Sequence, residues 1–122
     1  MVIYSPSDGD QVPSSLVVRG AQTKPLPPTF QLWAFAKADV PDSRWYAWHR
    51  GKIVSEADGS WAIDLYLGGD IGTRHAIVIG TISDDSSAQL TTFLAVNPDQ
   101  PLLELPSDLT PEARFSVEIG NR

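Results

Sequence analysis

The stretch from Ala57 to Leu67, ADGSWAIDLYL, reads as a tight turn followed by an alternating strand. Asp58-Gly59 readily adopts the positive φ that tight hairpin turns require. After the turn, large apolar residues occupy every second position, which is the period of a strand buried on one face. These residues are Trp61, Ile63, Leu65 and Leu67. The stretch therefore predicts an antiparallel sheet with one covered face.

Further strands are expected on both sides of this stretch. The apolar run from Phe30 to Lys37 is hydrophobic in both phases of the strand period, which predicts a strand that is covered on both faces or central in its sheet. Arg44 to Arg50 and Gly51 to Glu56 are expected to form two short strands that bend at Gly51. Shorter apolar or alternating runs predict the remaining strands, at residues 2–4, 15–20, 75–82 and 113–119.

The pattern changes between Ser83 and Val96, where the apolar residues follow a helical spacing. Ser83 and the acidic residues after it suit a helix N-terminus, and Pro98 prevents extension. One short helix is therefore expected, followed by a loop over 101–111. We expect the core of the sandwich to include Leu16, Val18, Leu32, Trp61, Ile63, Leu65, Val78 and Ile82.

The composition fits one all-β domain over residues 1–122. A chain of 122 residues has room for a single core, and its 42% hydrophobic content is sufficient to fill one. Ten Pro and nine Gly indicate many turns and short elements. We expect an antiparallel β-sandwich with one short helix inserted before the last strand.

Two stretches resemble bacterial immunoglobulin-like (Ig-like) domains. Ser5 to Val12, SPSDGDQV, followed by Leu16 to Ala21, LVVRGA, resembles their opening turn and first apolar strand. Ala57 to Ile63 resembles their hairpin, and the resemblance as a whole spans residues 2–82. It implies an Ig-like sandwich without the disulfide of antibody domains, used as a spacer, adhesion or docking unit of a larger bacterial protein. It implies no catalytic or binding residues, and the segment 83–111 departs from it as an insertion.

Charge and cysteine content limit the partners. With nine basic and fifteen acidic residues, the net charge of −6 disfavours nucleic acid and anionic membrane surfaces. Cysteine is absent, which excludes disulfides and thiolate chemistry and leaves the cellular compartment open. No apolar run approaches the ~20 residues of a membrane span, so no membrane insertion is expected. No signal peptide is expected either, because the first strand runs directly into Ser5-Pro6.

No enzyme signature is present, and we expect no catalytic residues, cofactor or metal. His49 and His75 are the only histidines, and neither has the spacing of a zinc site. No Gly-x-Ser-x-Gly nucleophile motif occurs. The turn from Ser7 to Asp10 places oxygen ligands two residues apart, as some calcium loops do, but Asp and Gly also simply favour turns. Calcium binding at this turn is therefore left open.

The aromatic–arginine segment, from Arg44 to Arg50, is the candidate binding site. Its candidate residues are Arg44, Trp45, Tyr46, Trp48, His49 and Arg50. Because strand residues alternate between faces, a sandwich cannot readily bury all three large rings. At least one ring is expected to face solvent near an arginine, unless Lys37 to Asp39 and the insertion cover them.

The segment leads to two function hypotheses. Exposed aromatic rings beside guanidinium groups are typical of protein-binding surfaces, and flat rings also suit sugar faces. The leading hypothesis is a non-catalytic interaction or spacer module that binds a neighbouring domain or a partner protein. The alternative is a carbohydrate-binding module with an exposed aromatic platform. An effector or toxin-associated domain directed at a host or phage partner is a third possibility.

Overall fold

The computed structural model describes residues 1–121, which form eight strands and one helix. The strands are β1 (Val2–Ser5), β2 (Gln11–Pro13), β3 (Ser15–Ala21), β4 (Phe30–Ala38), β5 (Tyr46–Ala47), β6 (Ser60–Tyr66), β7 (Arg74–Ser83) and β8 (Thr110–Asn121). The helix, α1 (Asp84–Val96), lies between β7 and β8. The short helix expected before the last strand is confirmed.

The strands form two sheets that pack face to face. The first has three strands in the order β1-β3-β6, and the second has five in the order β2-β8-β7-β4-β5. All pairs are antiparallel except β2 with β8, which is parallel. The opening of the chain is divided between the sheets, with a cis Ser5–Pro6 peptide bond between β1 and β2. Two packed, mainly antiparallel sheets were expected, whereas β2 was not.

Residues from both sheets enclose the inner core. On β6 the large apolar residues are buried, and Ala62, Asp64 and Tyr66 between them are exposed, as the alternation predicts. The inner core consists of Val12, Leu16, Val18, Leu32, Ala34, Ile53, Trp61, Ile63, Leu65, Leu67, Ile77, Ile79, Phe115, Val117 and Ile119. All the residues expected in the core are buried, but Val78 and Ile82 do not belong to the inner core.

A second apolar cluster, the outer cluster, covers the other face of the five-stranded sheet. It consists of Trp33, Phe35, Ile82, Leu90, Leu94 and Leu102. Leu32 and Ala34 of β4 pack in the inner core, while Trp33 and Phe35 pack under the helix. The expectation of a strand covered on both faces is therefore confirmed, and the inserted helix supplies the second cover.

Polar contacts fasten the helix at its first turn. The Ser83 hydroxyl accepts a hydrogen bond from the Ser86 amide at 3.2 Å, which caps the helix N-terminus. The Asp108 carboxylate accepts hydrogen bonds from the Ser83 amide at 3.1 Å and the Ser86 hydroxyl at 2.9 Å. A hydrogen bond from the Ser83 side chain is the main cause that lowers the pKa of Asp108, and the bonds from the Ser83 amide and the Ser86 hydroxyl lower it further. Trp33 Nε1 donates to the Ser87 hydroxyl at 2.9 Å, so the helix is also bonded to the sheet beneath it.

The turn at Asp58-Gly59 is present, but it does not join two paired strands. The Gly59 amide donates to the Glu56 carbonyl at 2.9 Å and closes the turn. Residues 51–56 form no strand, however, and only Ile53 pairs, through an isolated bridge to Leu32. The expected hairpin is absent because Ile53 pairs with Leu32 of the five-stranded sheet, so no strand before the turn lies beside β6.

Replacing Gly59 by valine is expected to lower the free energy of unfolding by about 1–3 kcal/mol. Gly59 has a φ of +87°, and an added Cβ would lie 2.9 Å from the Gln22 carbonyl oxygen. Thermal unfolding measures the loss.

Gly68→Val is the matched control, since no atom lies within 4 Å of its added Cβ. Asp58→Ala, which removes only an acceptor for Ser60, is expected to cost less. Equal melting temperatures for Gly59→Val and Gly68→Val would contradict this account.

Candidate functional site

The aromatic–arginine segment crosses the edge of the five-stranded sheet. Only Tyr46 and Ala47 form strand there, paired with Ala36 and Phe35 of β4. The strand expected over 44–50 is therefore shorter than expected, and the strand expected over 51–56 is absent. The physical reason is a turn directly after β5, in which the Gly51 amide donates to the Trp48 carbonyl at 3.0 Å.

The three large rings of the segment have three different environments. Trp45 is half-buried and packs against the outer cluster, and Trp48 is half-buried and packs against the inner core. Tyr46 is 47% exposed. The expectation that at least one ring faces solvent is confirmed at Tyr46. Arg44, His49 and Arg50 are exposed as well.

Trp48 and its neighbours bridge the two sheets. Trp48 Nε1 donates to the Asp64 carbonyl of β6 at 2.8 Å. Arg50 Nε lies 3.8 Å from Asp64 Oδ1, and the side chains are 65% and 59% exposed, so the ion pair contributes only about 0–1 kcal/mol. His49 meets the Trp48 ring edge-on, with centroids 6.1 Å apart. This half of the segment holds the sandwich closed.

Arg44 and Trp45 instead line a surface cavity of about 240 Å³. The remaining lining residues are Lys37, Asp42, Ser43 and Leu103. Lys37 Nζ lies 6.0 Å from the centre of the Trp45 ring, within cation–π range. The Leu102 amide donates to the Trp45 carbonyl at 2.8 Å, which joins the insertion to the segment.

Sequence reasoning missed Lys37, Asp42 and Leu103 as site residues. They come from the end of β4, the β4–β5 loop and the loop after α1. Only the tertiary fold brings these segments together, so no local pattern points to them. A larger cavity of about 330 Å³ contains none of the expected site residues; it is lined by Met1, Gln22, Thr23, Lys24, Pro25, Leu26, Pro27, Phe30, Thr81, Thr110 and Glu112.

The turn considered for calcium uses its carboxylates within the fold. Asp10 Oδ2 accepts a hydrogen bond from the Ser7 amide at 2.8 Å, and Asp8 Oδ1 accepts one from the Ser116 amide at 2.8 Å. Within residues 1–121, no group of three or more His, Cys, Asp and Glu side chains could hold a metal ion. The hydrogen bonds account for Asp at both positions.

His75 is buried at one end of the inner core and is 5% exposed. Its Nδ1 is buried, and no hydrogen-bond partner for it is found among the described residues. Burial lowers the pKa of His75 below its ordinary value of 6.5 and outweighs backbone hydrogen bonds that act in the opposite direction. Burial thus favours the neutral form of the ring.

Acidification is expected to destabilise the protein through His75. Because its folded pKa lies below its unfolded value, the unfolded chain binds the proton more tightly, and stability falls once the pH drops below about 6.5. Above that pH the contribution is constant. Denaturant unfolding between about pH 7 and pH 5 measures the slope, and His75→Gln is expected to reduce it. His49→Gln is the control. An unchanged slope in His75→Gln would contradict the assignment.

Comparison of the chain with models of protein families, with curated proteins and with solved structures gives no match. Within the described residues, no helix is long and apolar enough to cross a membrane. The candidate site is thus defined by the geometry of its own residues, above all Arg44, Trp45 and Tyr46.

Proposed function

We propose that this chain is an Ig-like module of a larger bacterial protein and that it acts by binding rather than by catalysis. The strand order supports the Ig-like assignment. In that fold, strands A, B and E share one sheet, and C, F and G share the other. The orders β1-β3-β6 and β4-β7-β8 correspond to these two groups.

The position of one tryptophan, Trp33 of β4, departs from the arrangement in antibody domains. In antibody domains the tryptophan of strand C packs on the disulfide between the sheets. Here Trp33 of β4 packs on the opposite face, under the inserted helix, and Trp61 of β6 fills the inner core instead. The module therefore uses its insertion as part of the fold, and its binding surface need not resemble that of antibodies.

The observation that carries the binding proposal is the exposed Tyr46 on an anchored edge strand. Trp45 on one side is packed into the outer cluster, and Trp48 on the other is packed into the inner core. The backbone between them is therefore held in place while the Tyr46 ring faces solvent. Rigid aromatic rings beside arginine are typical energetic centres of protein interfaces, since they offer large contact area at a small entropic cost.

The geometry favours a protein partner over the carbohydrate alternative. A sugar-binding platform presents flat rings together on one surface, whereas Trp45 and Trp48 are half-buried against different clusters. A single exposed ring remains, flanked by charged Arg44. Carbohydrate binding by Tyr46 alone stays the second candidate.

Selection of a random displayed peptide library against the folded domain tests the proposal. We expect the selected peptides to shift the amide NMR signals of Tyr46 and Ala47. Tyr46→Ser is expected to weaken their binding by at least about tenfold, as loss of an interface centre does. Its melting temperature is expected to remain that of the wild type because the ring is exposed.

Tyr66→Ser is the matched control, because Tyr66 is 76% exposed on the outer face of the three-stranded sheet. It is expected to leave peptide binding unchanged. Equal effects of the two substitutions, or peptides that bind away from β5, would contradict the proposed surface. Binding of soluble glycans that depends on Tyr46, without peptide binding, would favour the carbohydrate alternative.

A further inference from the structure

We propose that the cavity beside Trp45 receives an acidic side chain from a peptide segment of the partner, a segment in which an Asp or Glu adjoins an apolar residue. The inference rests on the proposed function and specifies its ligand. The cavity measures about 240 Å³, below the roughly 300–1,000 Å³ of sites that enclose a whole small ligand. It therefore suits one side chain of a longer segment.

Charge is the first argument for an acidic occupant. Lys37 and Arg44 both line the cavity, and neither forms an ion pair with any residue in the described part of the chain. The segment from Lys37 to Lys52 has four basic and two acidic side chains, whereas the whole chain has nine and fifteen. A local positive surface on an acidic protein attracts an anionic partner.

One of the two cationic groups, the Lys37 ammonium, is also held in place. Lys37 is half-buried on β4, and its ammonium lies over the Trp45 ring at 6.0 Å. Trp45 in turn is packed against the outer cluster and accepts a hydrogen bond from the Leu102 amide. Because these side chains are already ordered, binding of a carboxylate requires a smaller free-energy cost for ordering the site.

Asp42 limits the site to one carboxylate. It lines the same cavity as Lys37 and Arg44, so the lining has two positive side chains and one negative, a surplus that a single carboxylate neutralises. Its φ of +63° is left-handed, and the Ser43 amide closes the turn by donating to the Val40 carbonyl at 3.3 Å. Asp and Asn are the residues that tolerate this conformation best, so Asp42→Asn alters the charge and preserves the turn.

Leu103 supplies the apolar half of the recognition. It is 92% exposed on the rim of the cavity, next to Leu102, which is buried in the outer cluster. Val40 in the β4–β5 loop is exposed as well. An exposed leucine gains more from an apolar side chain than from a sugar, which makes an acidic–apolar peptide a better fit than an acidic polysaccharide.

Titration with two short peptides tests the proposal: acetyl-Leu-Glu-Leu-amide and its isosteric counterpart, acetyl-Leu-Gln-Leu-amide. The NMR signals of the Trp45 indole N–H and the Leu103 methyl groups report occupancy. We expect the acidic peptide to bind about tenfold more tightly, a ratio equivalent to about 1.4 kcal/mol. We also expect its affinity to fall with added salt.

Charge reversal assigns the effect to the cavity. Lys37→Glu and Arg44→Glu are each expected to abolish the preference for the acidic peptide, and Asp42→Asn is expected to increase its affinity. Arg19→Glu is the matched control: it makes the same change in net charge at an exposed position on the other sheet, and it is expected to preserve the preference.

Equal affinity for the two peptides would overturn the proposal of an acidic ligand. So would an equal loss of the preference for the acidic peptide in Arg19→Glu and Arg44→Glu. If library peptides still bound in a Tyr46-dependent manner, the proposed function would stand without it. If neither probe bound, both proposals would fall. A third outcome is that alginate binds in an Arg44-dependent manner and the acidic peptide does not. The occupant would then be an acidic sugar, and the proposal of a peptide ligand would be overturned.

Discussion

Trp61→Ala is expected to lower the free energy of unfolding by about 3–5 kcal/mol, which is a large fraction of the total stability of a domain of this size. Trp61 is 4% exposed and packs in the inner core. No hydrogen-bond partner of its Nε1 is found among residues 1–121, so the loss comes from apolar burial and from the cavity left behind. Denaturant unfolding measures the change.

Two further variants check the Trp61 prediction. Tyr66→Ala removes an exposed ring from the same strand and is expected to change stability by less than about 0.5 kcal/mol. Gly20→Ala approaches the site from the opposite strand, because its added Cβ would lie 2.5 Å from Cζ2 of Trp61. It is expected to destabilise the fold through displacement of the ring. A Trp61→Ala variant with the stability of Tyr66→Ala would contradict the placement of Trp61 in the core.

Trp33→Ala is expected to cost a similar amount, about 3–5 kcal/mol, but to act on the other side of the sheet. Trp33 is fully buried in the outer cluster, stacks against Phe35 with centroids 6.4 Å apart, and bonds to Ser87 of the helix. Removal of the Trp33 ring takes away apolar contacts and a hydrogen bond that hold α1 against the sheet. Amide hydrogen exchange is therefore expected to accelerate in α1 more than in β3 and β6.

Trp33→Phe separates the ring from its hydrogen bond. Phenylalanine keeps most of the apolar contact but leaves the buried Ser87 hydroxyl without its donor, at a cost of about 1–3 kcal/mol. Protection of β3 and β6 is expected to persist in both variants. Uniform acceleration of exchange over the whole chain would indicate that the helix and the sandwich unfold as one unit, contrary to the two-cluster description.

The strands with a clear period were predictable from sequence, and those defined by distant partners were not. The alternation on β6 and the doubly apolar pattern on β4 each follow from which faces are covered. The strand β2 has three residues and ends in proline, and it exists because it pairs with β8, more than a hundred residues later. No local signal encodes such a pairing.

The candidate site was predictable only where it depends on local strand period. Alternation within the aromatic–arginine segment pointed to an exposed ring, which is Tyr46. The segment pairs over only two residues, so the division of Trp45 and Trp48 between the two clusters depends on the helix and on β6, not on strand period. Leu103 joins the cavity through the insertion, and sequence spacing does not indicate where an insertion folds back.

The parallel pairing of β2 with β8 has a mechanical consequence. Val12 lies opposite Ile119, and the Glu118 amide donates to the Asp10 carbonyl at 2.9 Å. When the two ends of the domain are drawn apart, β2 is pulled toward its amino end and β8 toward its carboxyl end. Since the strands run in the same direction, the two pulls oppose each other along the strand axis. The bonds between these strands are therefore loaded in shear, so that they resist together instead of opening one after another.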